Sequence, residues 1–391
     1  MTNFDIEYLK LCKKILNEGV EVENRTGINT IKIPEHSFTF DLSKEFPILE
    51  TKQTFFKNAI IEMLWIWQMQ SNNVKDLHNR GVHIWDEWMV DKDGIYRIYE
   101  PEIPGKEYHY NPDKEVVVLD PLSVGIEDPF GEITPLQPKL TKNGKVMTAK
   151  SKIPGKTIKA AKYYGKKHAY TIGTAYGFIT NRYKLTQSLI HTIKNNPNCR
   201  RMVKSLWQNE FLREAVLPSC VWSTEWDVTD GKLNLQVHQR SCDVPLGLPF
   251  NVTQYSTFLK MIAQVTNLEP GIISYSIQDA HIYINQIEGI KEQLRREEEF
   301  NKLSNCSDNY LRQYNEWLNK GLTLFDQKSD EYKKIDTEKR IIDIILEPTE
   351  PEIWLDSSID NFFDFDNSKE LKHTKVKKYK HMGRIDIPRA Q

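Results

Sequence analysis

The run Gln239-Arg240-Ser241-Cys242-Asp243-Val244-Pro245-Leu246-Gly247-Leu248-Pro249-Phe250-Asn251 constrains this chain more than any other stretch. A core strand is a short apolar or alternating run, and this segment is neither. It packs an Arg, a Ser, an Asp and an Asn around two Gly/Pro turns, so it reads as a site that the fold must present to a cavity. Arg240 and Ser241 suit a phosphate or carboxylate. Asp243 and Asn251 suit the hydrogen-bonding edge of a heterocycle. Just upstream stands Leu217-Pro218-Ser219-Cys220, and Cys220 is a candidate nucleophile.

A chain of 391 residues could hold two or three average domains, or one large α/β domain with insertions. Lys plus Arg number 53 against 54 Asp plus Glu, so the basic bias of a partner of bulk nucleic acid is lacking and any cationic function is local. No apolar stretch reaches membrane-spanning length, and the first residues lack a signal-type apolar region. The expected location is the cytoplasm, without membrane or nucleic-acid partners. Five widely spaced cysteines, Cys12, Cys199, Cys220, Cys242 and Cys306, make neither a zinc nor a disulfide framework.

The periodicity predicts a helix over 4–19, strands over 29–42 and an apolar helix over 55–70 that carries one acid, Glu62. Residues about 93–168 are rich in Pro, Gly and Lys and read as a β-rich insertion around Val116–Val118. Ten lysines between Lys139 and Lys167 read as a solvated face rather than a nucleic-acid surface. A helix is expected over 183–195 and a strand over 201–208. A hairpin over 221–238 turns at Thr229-Asp230-Gly231, and a helix follows over 253–266. A second, charged insertion, about 292–340, reads as a peripheral helical pair.

With these residues in view, the chain resembles the thymidylate synthases and their relatives, the pyrimidine nucleotide hydroxymethylases. The resemblance rests on the 239–251 run and on ordered blocks around it: Asn24-Arg25-Thr26-Gly27, Thr51-Lys52, Glu62-Met63-Leu64-Trp65, Ile84-Trp85-Asp86-Glu87-Trp88, Tyr176-Gly177, Arg200-Arg201, Asp279-Ala280-His281-Ile282-Tyr283 and Ile385-Asp386-Ile387-Pro388. It covers roughly two thirds of the chain. It implies one catalytic α/β (α+β) domain over 1–391, with a large mixed or antiparallel sheet, flanking helices and the two insertions.

The resemblance also assigns roles. Cys220 attacks C6 of the pyrimidine of dUMP, and Arg25, Arg200, Arg201, Arg240 and Ser241 hold the phosphate. Arg200 and Arg201 come from the other subunit of a homodimer. Asn251 pairs with O4 and N3–H of uracil, where relatives acting on cytosine carry Asp. Gln239 and Tyr176 lie on the nucleotide, and His281 and Tyr283 meet the sugar hydroxyl. Glu62 relays protons through water. Asp243, Trp85, Lys52 and Gly247 face the co-substrate 5,10-methylenetetrahydrofolate, and no metal is implied. Cys242 is packing.

The chain departs from the synthase pattern at Val221, His238, Ile179-Thr180 and the tail Arg389-Ala390-Gln391. These positions fall where water capture of the methylene intermediate would replace hydride transfer. With the insertions, they favour a phage-type deoxyuridylate hydroxymethyltransferase over a thymidylate synthase. An inactive nucleotide- or RNA-binding regulator is the third reading, and the intact set Cys220, Glu62, Arg240 and Asn251 argues against it.

Overall fold

The structure is a computed structural model that describes residues 1–24, 26–101, 115–123, 135–151, 153 and 156–389. The chain forms two compact units. One comprises Met1–Met63, Gln187–Lys204 and Cys220–Ala390, and the other Leu64–Thr186 and Ser205–Ser219.

The first unit is built on a mixed seven-stranded sheet, in line with the expected α/β class. Its strands are β1 (Val20–Val22), β2 (Thr30–Asp41), β3 (Val203–Ser205), β4 (Val221–Thr229), β5 (Lys232–Gln239), β6 (Cys242–Asp243) and β7 (Glu269–Tyr283). The order is β1-β2-β7-β5-β4-β3, with β6 against β7. β5 and β6 run parallel to β7, whereas β2 is antiparallel to β7 and β4 to β5. Strand alternation sets the faces: Leu233, Leu235 and Val237 are buried, while Lys232, Asn234, Gln236 and His238 are half-buried. Above the buried face lies the Gly247–Val265 helix, whose Phe258 meets Trp226 of β4 edge-to-face at 5.2 Å. The β4–β5 hairpin turns at Asp230 and Gly231, both at positive φ (51° and 72°), as a tight two-residue connection requires.

Two helix boundaries correct the expectation. The helix expected from 253 begins at Gly247. Gly247 and Pro249 look like turn residues, but a proline fits the first helical turn, where no intrahelical partner is needed for its missing N–H. Asn251 therefore stands on a helix rather than on a loop. The helix expected over 183–195 begins at Leu185, and Lys184, left-handed at φ 50°, separates it from an unexpected helix Gly177–Tyr183.

The second insertion holds three helices rather than a pair: Ile287–Leu303, Asp308–Leu322 and Asp330–Leu346. Ser307 and Ser329 cap the last two by accepting the backbone N–H of Tyr310 and Tyr332. Leu303, Leu311, Leu318, Ile341, Ile342 and Met382 form their shared core.

The second unit carries the expected β-rich insertion. Five strands, Ile95–Pro101, Val116–Asp120, Gln137–Pro138, Thr148–Ala149 and Lys156–Tyr163, form one sheet. Ile95, Val116, Val118, Ile158 and Ala161 make its core. Two lysines of the basic run, Lys139 and Lys167, pair with Asp120 at 3.0 Å and Glu214 at 2.8 Å. Among the described residues, no helix is long and apolar enough to cross a membrane.

Candidate active site

Cys220 immediately precedes β4, and Arg240 immediately follows β5. The β4–β5 ladder shifts register between His238 and Gln239. Beyond that irregularity the Arg240 N–H donates to the Cys220 carbonyl at 2.9 Å, and Arg240 Nη2 lies 4.0 Å from Sγ. A guanidinium at that range favours the thiolate, the nucleophilic form. Cys242 is different: it is fully buried, and burial pushes its thiol well above the ordinary range.

Two side chains, Gln254 and Gln239, link Asn251 to Glu62 and to the strand end. Gln239, buried at the end of β5, donates from Nε2 to the Ser241 carbonyl and to Asn251 Oδ1, both at 3.1 Å. Asn251 Nδ2 donates to Gln254 Oε1 at 3.1 Å, and Gln254 Nε2 donates to the Glu62 carboxylate. Tyr275 of β7 anchors the helix by donating its hydroxyl to the Asn251 carbonyl at 2.8 Å. Each Asn251 amide atom retains capacity, one N–H and one lone pair, for a further partner. Gln239 Oε1 is buried with no hydrogen-bond partner among the described residues.

His281 lies on β7 beside β6, in register with Asp243. Its Nδ1 lies 2.9 Å from the Asp279 carbonyl and donates to it. That bond leaves the buried Nε2 as a lone-pair acceptor without a partner among the described residues. Tyr283 stands edge-on to the imidazole at 5.1 Å. Ser241 donates its hydroxyl to Asp279 at 3.2 Å, and Asp279 holds a positive φ of 49°.

Asp243 accepts from the Leu246 N–H and from Gln286 Nε2, each at 3.1 Å. Burial pushes its carboxyl up, and these two bonds pull it back. Lys52, buried close by, donates to the Pro245 carbonyl. Burial lowers its amine to about 8, against the pull of Cys12 and Asp243. At Gly247 a Cβ would meet Asp243 Cβ at 3.8 Å and Asn251 Oδ1 at 3.9 Å, ordinary contacts, so the protein alone does not demand glycine there.

Trp85 and Tyr176 belong to the second unit. Both are buried, their rings 5.4 Å apart, and Trp65 and Trp88 complete the cluster around Trp85 at 6.2 and 5.4 Å. Tyr176 has a positive φ of 48°. The next residue must be glycine, because a Cβ on Gly177 would lie 1.7 Å from the Ser71 carbonyl oxygen.

Three of the residues that depart from the synthase pattern, Val221, Ile179 and Thr180, are packed inside. Val221 and Ile179 are buried, and Thr180 donates its hydroxyl to the Ile66 carbonyl at 2.6 Å. His238 lies on the half-buried face of the sheet, 3.2 Å from Glu225 and tilted against Trp222.

Arg25, Ala390 and Gln391 lie outside the described residues. Arg200 and Arg201 are exposed and line a surface depression with Asn196, Asn198 and Cys199. The sequence reading missed Gln254, Gln286 and Asp279. Gln254 was findable, because it sits three residues beyond Asn251 and so shares its helical face.

Among the described residues, His78, His83 and Asp86 gather metal-type ligand atoms. Their rings stack at 4.7 Å and 27°, and each imidazole nitrogen meets its own Asp86 oxygen, at 2.5 and 3.1 Å. Nearly parallel rings do not aim two lone pairs at one point about 2 Å away, so the group is a hydrogen-bonded triad.

A family-wide sequence profile described as thymidylate synthase matches residues 6–336. The thymidylate synthase of Clostridium beijerinckii is 34% identical over 387 residues, covering 99% of this chain and 98% of that protein. The thymidylate synthase of Bacillus phage phi3T is 32% identical over 308 residues, 76% of this chain and 86% of its own. Thermostable thymidylate synthase A from Bacillus subtilis superposes with a TM-score of 0.61 at 27% identity, over 100% of both chains.

Proposed function

Because this chain belongs to the thymidylate synthase family, we propose that it moves the one-carbon unit of 5,10-methylenetetrahydrofolate to C5 of dUMP and finishes by hydride transfer, giving dTMP and dihydrofolate. One observation carries the choice of product. The match to the Clostridium beijerinckii synthase runs over 99% of this chain and 98% of that protein, so the two insertions do not set this chain apart from a synthase.

The residues divide the work as follows. The Cys220 thiolate, beside Arg240, adds to C6 of the uracil ring, and C5 becomes an enolate carbon. Asn251 and water hold the developing oxygen charge at O4. C5 attacks the folate methylene. Loss of the C5 proton through the Glu62 network, with expulsion of tetrahydrofolate, leaves an exocyclic methylene on C5. Hydride from tetrahydrofolate reduces that carbon, and Cys220 departs from C6. Arg25, Arg240 and Ser241 take the phosphate, and Gln239 and Tyr176 line the nucleotide. His281 Nε2 accepts from the sugar hydroxyl beside Tyr283. Asp243, Lys52, Gly247 and Trp85 serve the folate.

A second reading is capture of the methylene by water, giving 5-hydroxymethyl-dUMP and tetrahydrofolate. Val221, His238, the 179–180 pair and the tail Arg389-Ala390-Gln391 favour it as departures from the synthase pattern. Against it stand the burial of Val221 and Ile179 and the internal bond of Thr180. Mass spectrometry of the nucleotide product beside the dihydrofolate absorbance separates the two. A methyl-sized gain with stoichiometric dihydrofolate is expected, and a hydroxymethyl-sized gain without dihydrofolate would reverse the assignment.

The active form is a cytoplasmic homodimer in which the exposed Arg200 and Arg201 reach the partner's nucleotide phosphate. Light scattering should give the mass of two chains. A fully active monomer would remove this role for both arginines.

A further inference from the structure

We propose that Gln254 is the positioning residue that fixes uracil selection, by tying the orientation of the Asn251 carboxamide to the carboxylate of Glu62. This rests on the reading above, in which Asn251 faces the pyrimidine edge.

The two ends of the side-chain chain set its direction. An ionised carboxylate only accepts hydrogen bonds. Gln254 must therefore turn Nε2 toward Glu62, as it does, and Oε1 toward Asn251. Asn251 must then present Nδ2 to Gln254, which leaves Oδ1 for the far side. There Gln239 meets it with Nε2, and Gln239 is itself fixed because the same nitrogen donates to the Ser241 carbonyl. The Ser241 carbonyl only accepts, and so does the Glu62 carboxylate in its ionised form; with both ends accepting, only one sense of all three amides makes the bonds of this chain. The three residues are buried or half-buried, where an unmade bond is costly. The bonds also polarise one another along the chain.

The sense of the Asn251 amide decides which base fits. Uracil offers an acceptor at O4 and a donor at N3–H. The remaining N–H and lone pair of Asn251 complement that pair. Cytosine offers a donor at the C4 amino group and an acceptor at N3, the reverse pattern. A half-turn of the Asn251 carboxamide would complement cytosine, and that half-turn sets like against like at both Gln254 and Gln239. A water in place of the Gln254 amide would not impose this, because water both donates and accepts.

The test uses binding without turnover. In a Cys220→Ser background without folate, calorimetry gives the affinities of dUMP and dCMP. Gln254→Leu should lower the preference for dUMP over dCMP about tenfold, since one bidentate base contact is worth discrimination of that order. Gln254→Ser, which leaves room for water and little risk to folding, should lower it in the same direction. Glu62→Gln should relax the preference when Gln254 is present and add nothing beside Gln254→Leu, the non-additivity of a shared network. A merely structural Gln254 would weaken both nucleotides equally. An unchanged preference in both Gln254 variants overturns the proposal while leaving the site intact. If Asn251→Leu leaves the dUMP-to-dCMP ratio unaltered, the reading of the site itself fails, and the role of Gln254 with it.

Discussion

Arg240 holds Cys220 at two points: its backbone N–H donates to the Cys220 carbonyl at 2.9 Å, and its guanidinium Nη2 lies 4.0 Å from the sulfur. The backbone bond fixes where the strand end sits, and the side chain supplies positive charge to the thiol. Cys220→Ser keeps the first and removes the nucleophile. Turnover should vanish while dUMP binding, dominated by the phosphate contacts, persists. Cys242→Ser should leave kcat close to that of the parent, because the buried Cys242 sulfur only packs. Loss of activity in the Cys242 variant with activity retained in the Cys220 variant would exchange the two roles.

Asn251→Asp should move base preference from dUMP toward dCMP. The shift is on the order of 1–3 kcal/mol of discrimination, and it is read as the ratio of kcat/KM for the two nucleotides. Equal use of both bases by the parent protein would remove the uracil assignment from Asn251.

His381 makes acid stability measurable at one residue. Burial first, then the charges of Arg340 and Arg296, lower its pKa from 6.5 to about 4, against the weaker pull of Asp336. Its Nδ1 accepts the Gly383 N–H at 3.1 Å, so the folded chain prefers the neutral ring. Between pH 6.5 and 4 the unfolded chain binds the proton more readily, and stability therefore falls as the pH drops through that window. His381→Asn keeps an acceptor near the Gly383 N–H and cannot titrate. Melting temperatures across this range should fall less steeply for the variant, and parallel curves would exclude His381 as a source of the loss.

Leu311 is fully buried in the core shared by the three helices of the second insertion. Leu311→Ala should cost about 3 kcal/mol by urea unfolding, the usual range for emptying such a site. A change below roughly 1 kcal/mol would mean that these helices unfold apart from the transition being measured.

Much of the architecture was legible because it follows from periodicity. The alternation of β5 and the Asp230-Gly231 turn give the hairpin, and Val116–Val118 mark the small sheet. The start of the Gly247–Val265 helix was hidden, because Gly247 and Pro249 carry turn chemistry that the first turn of a helix also accepts. The third helix of the second insertion was missed although Ser307 and Ser329 are ordinary capping residues. At the candidate site the motif residues fall into two sets of contacts, Cys220 with Arg240, and Gln239 with Asn251 and, through Gln254, Glu62. Gln254 was passed over because an amide on a helix looks like surface until the fold aims it at a buried acid.

The chain of amides between Ser241 and Glu62 also limits the routes by which this protein could change substrate over generations. Replacing Asn251 by Asp alone sets a carboxylate against Gln254 Oε1. If Gln254 turns to donate to it, the same glutamine offers its oxygen to Glu62, so the conflict moves along the chain instead of disappearing. A lineage drifting toward cytosine would draw the full benefit of Asn251→Asp only once position 254 had also loosened, a change that brings no advantage by itself. The Asn251–Gln254–Glu62 bonds thus blunt the single step toward cytosine, beyond the fit of any one side chain.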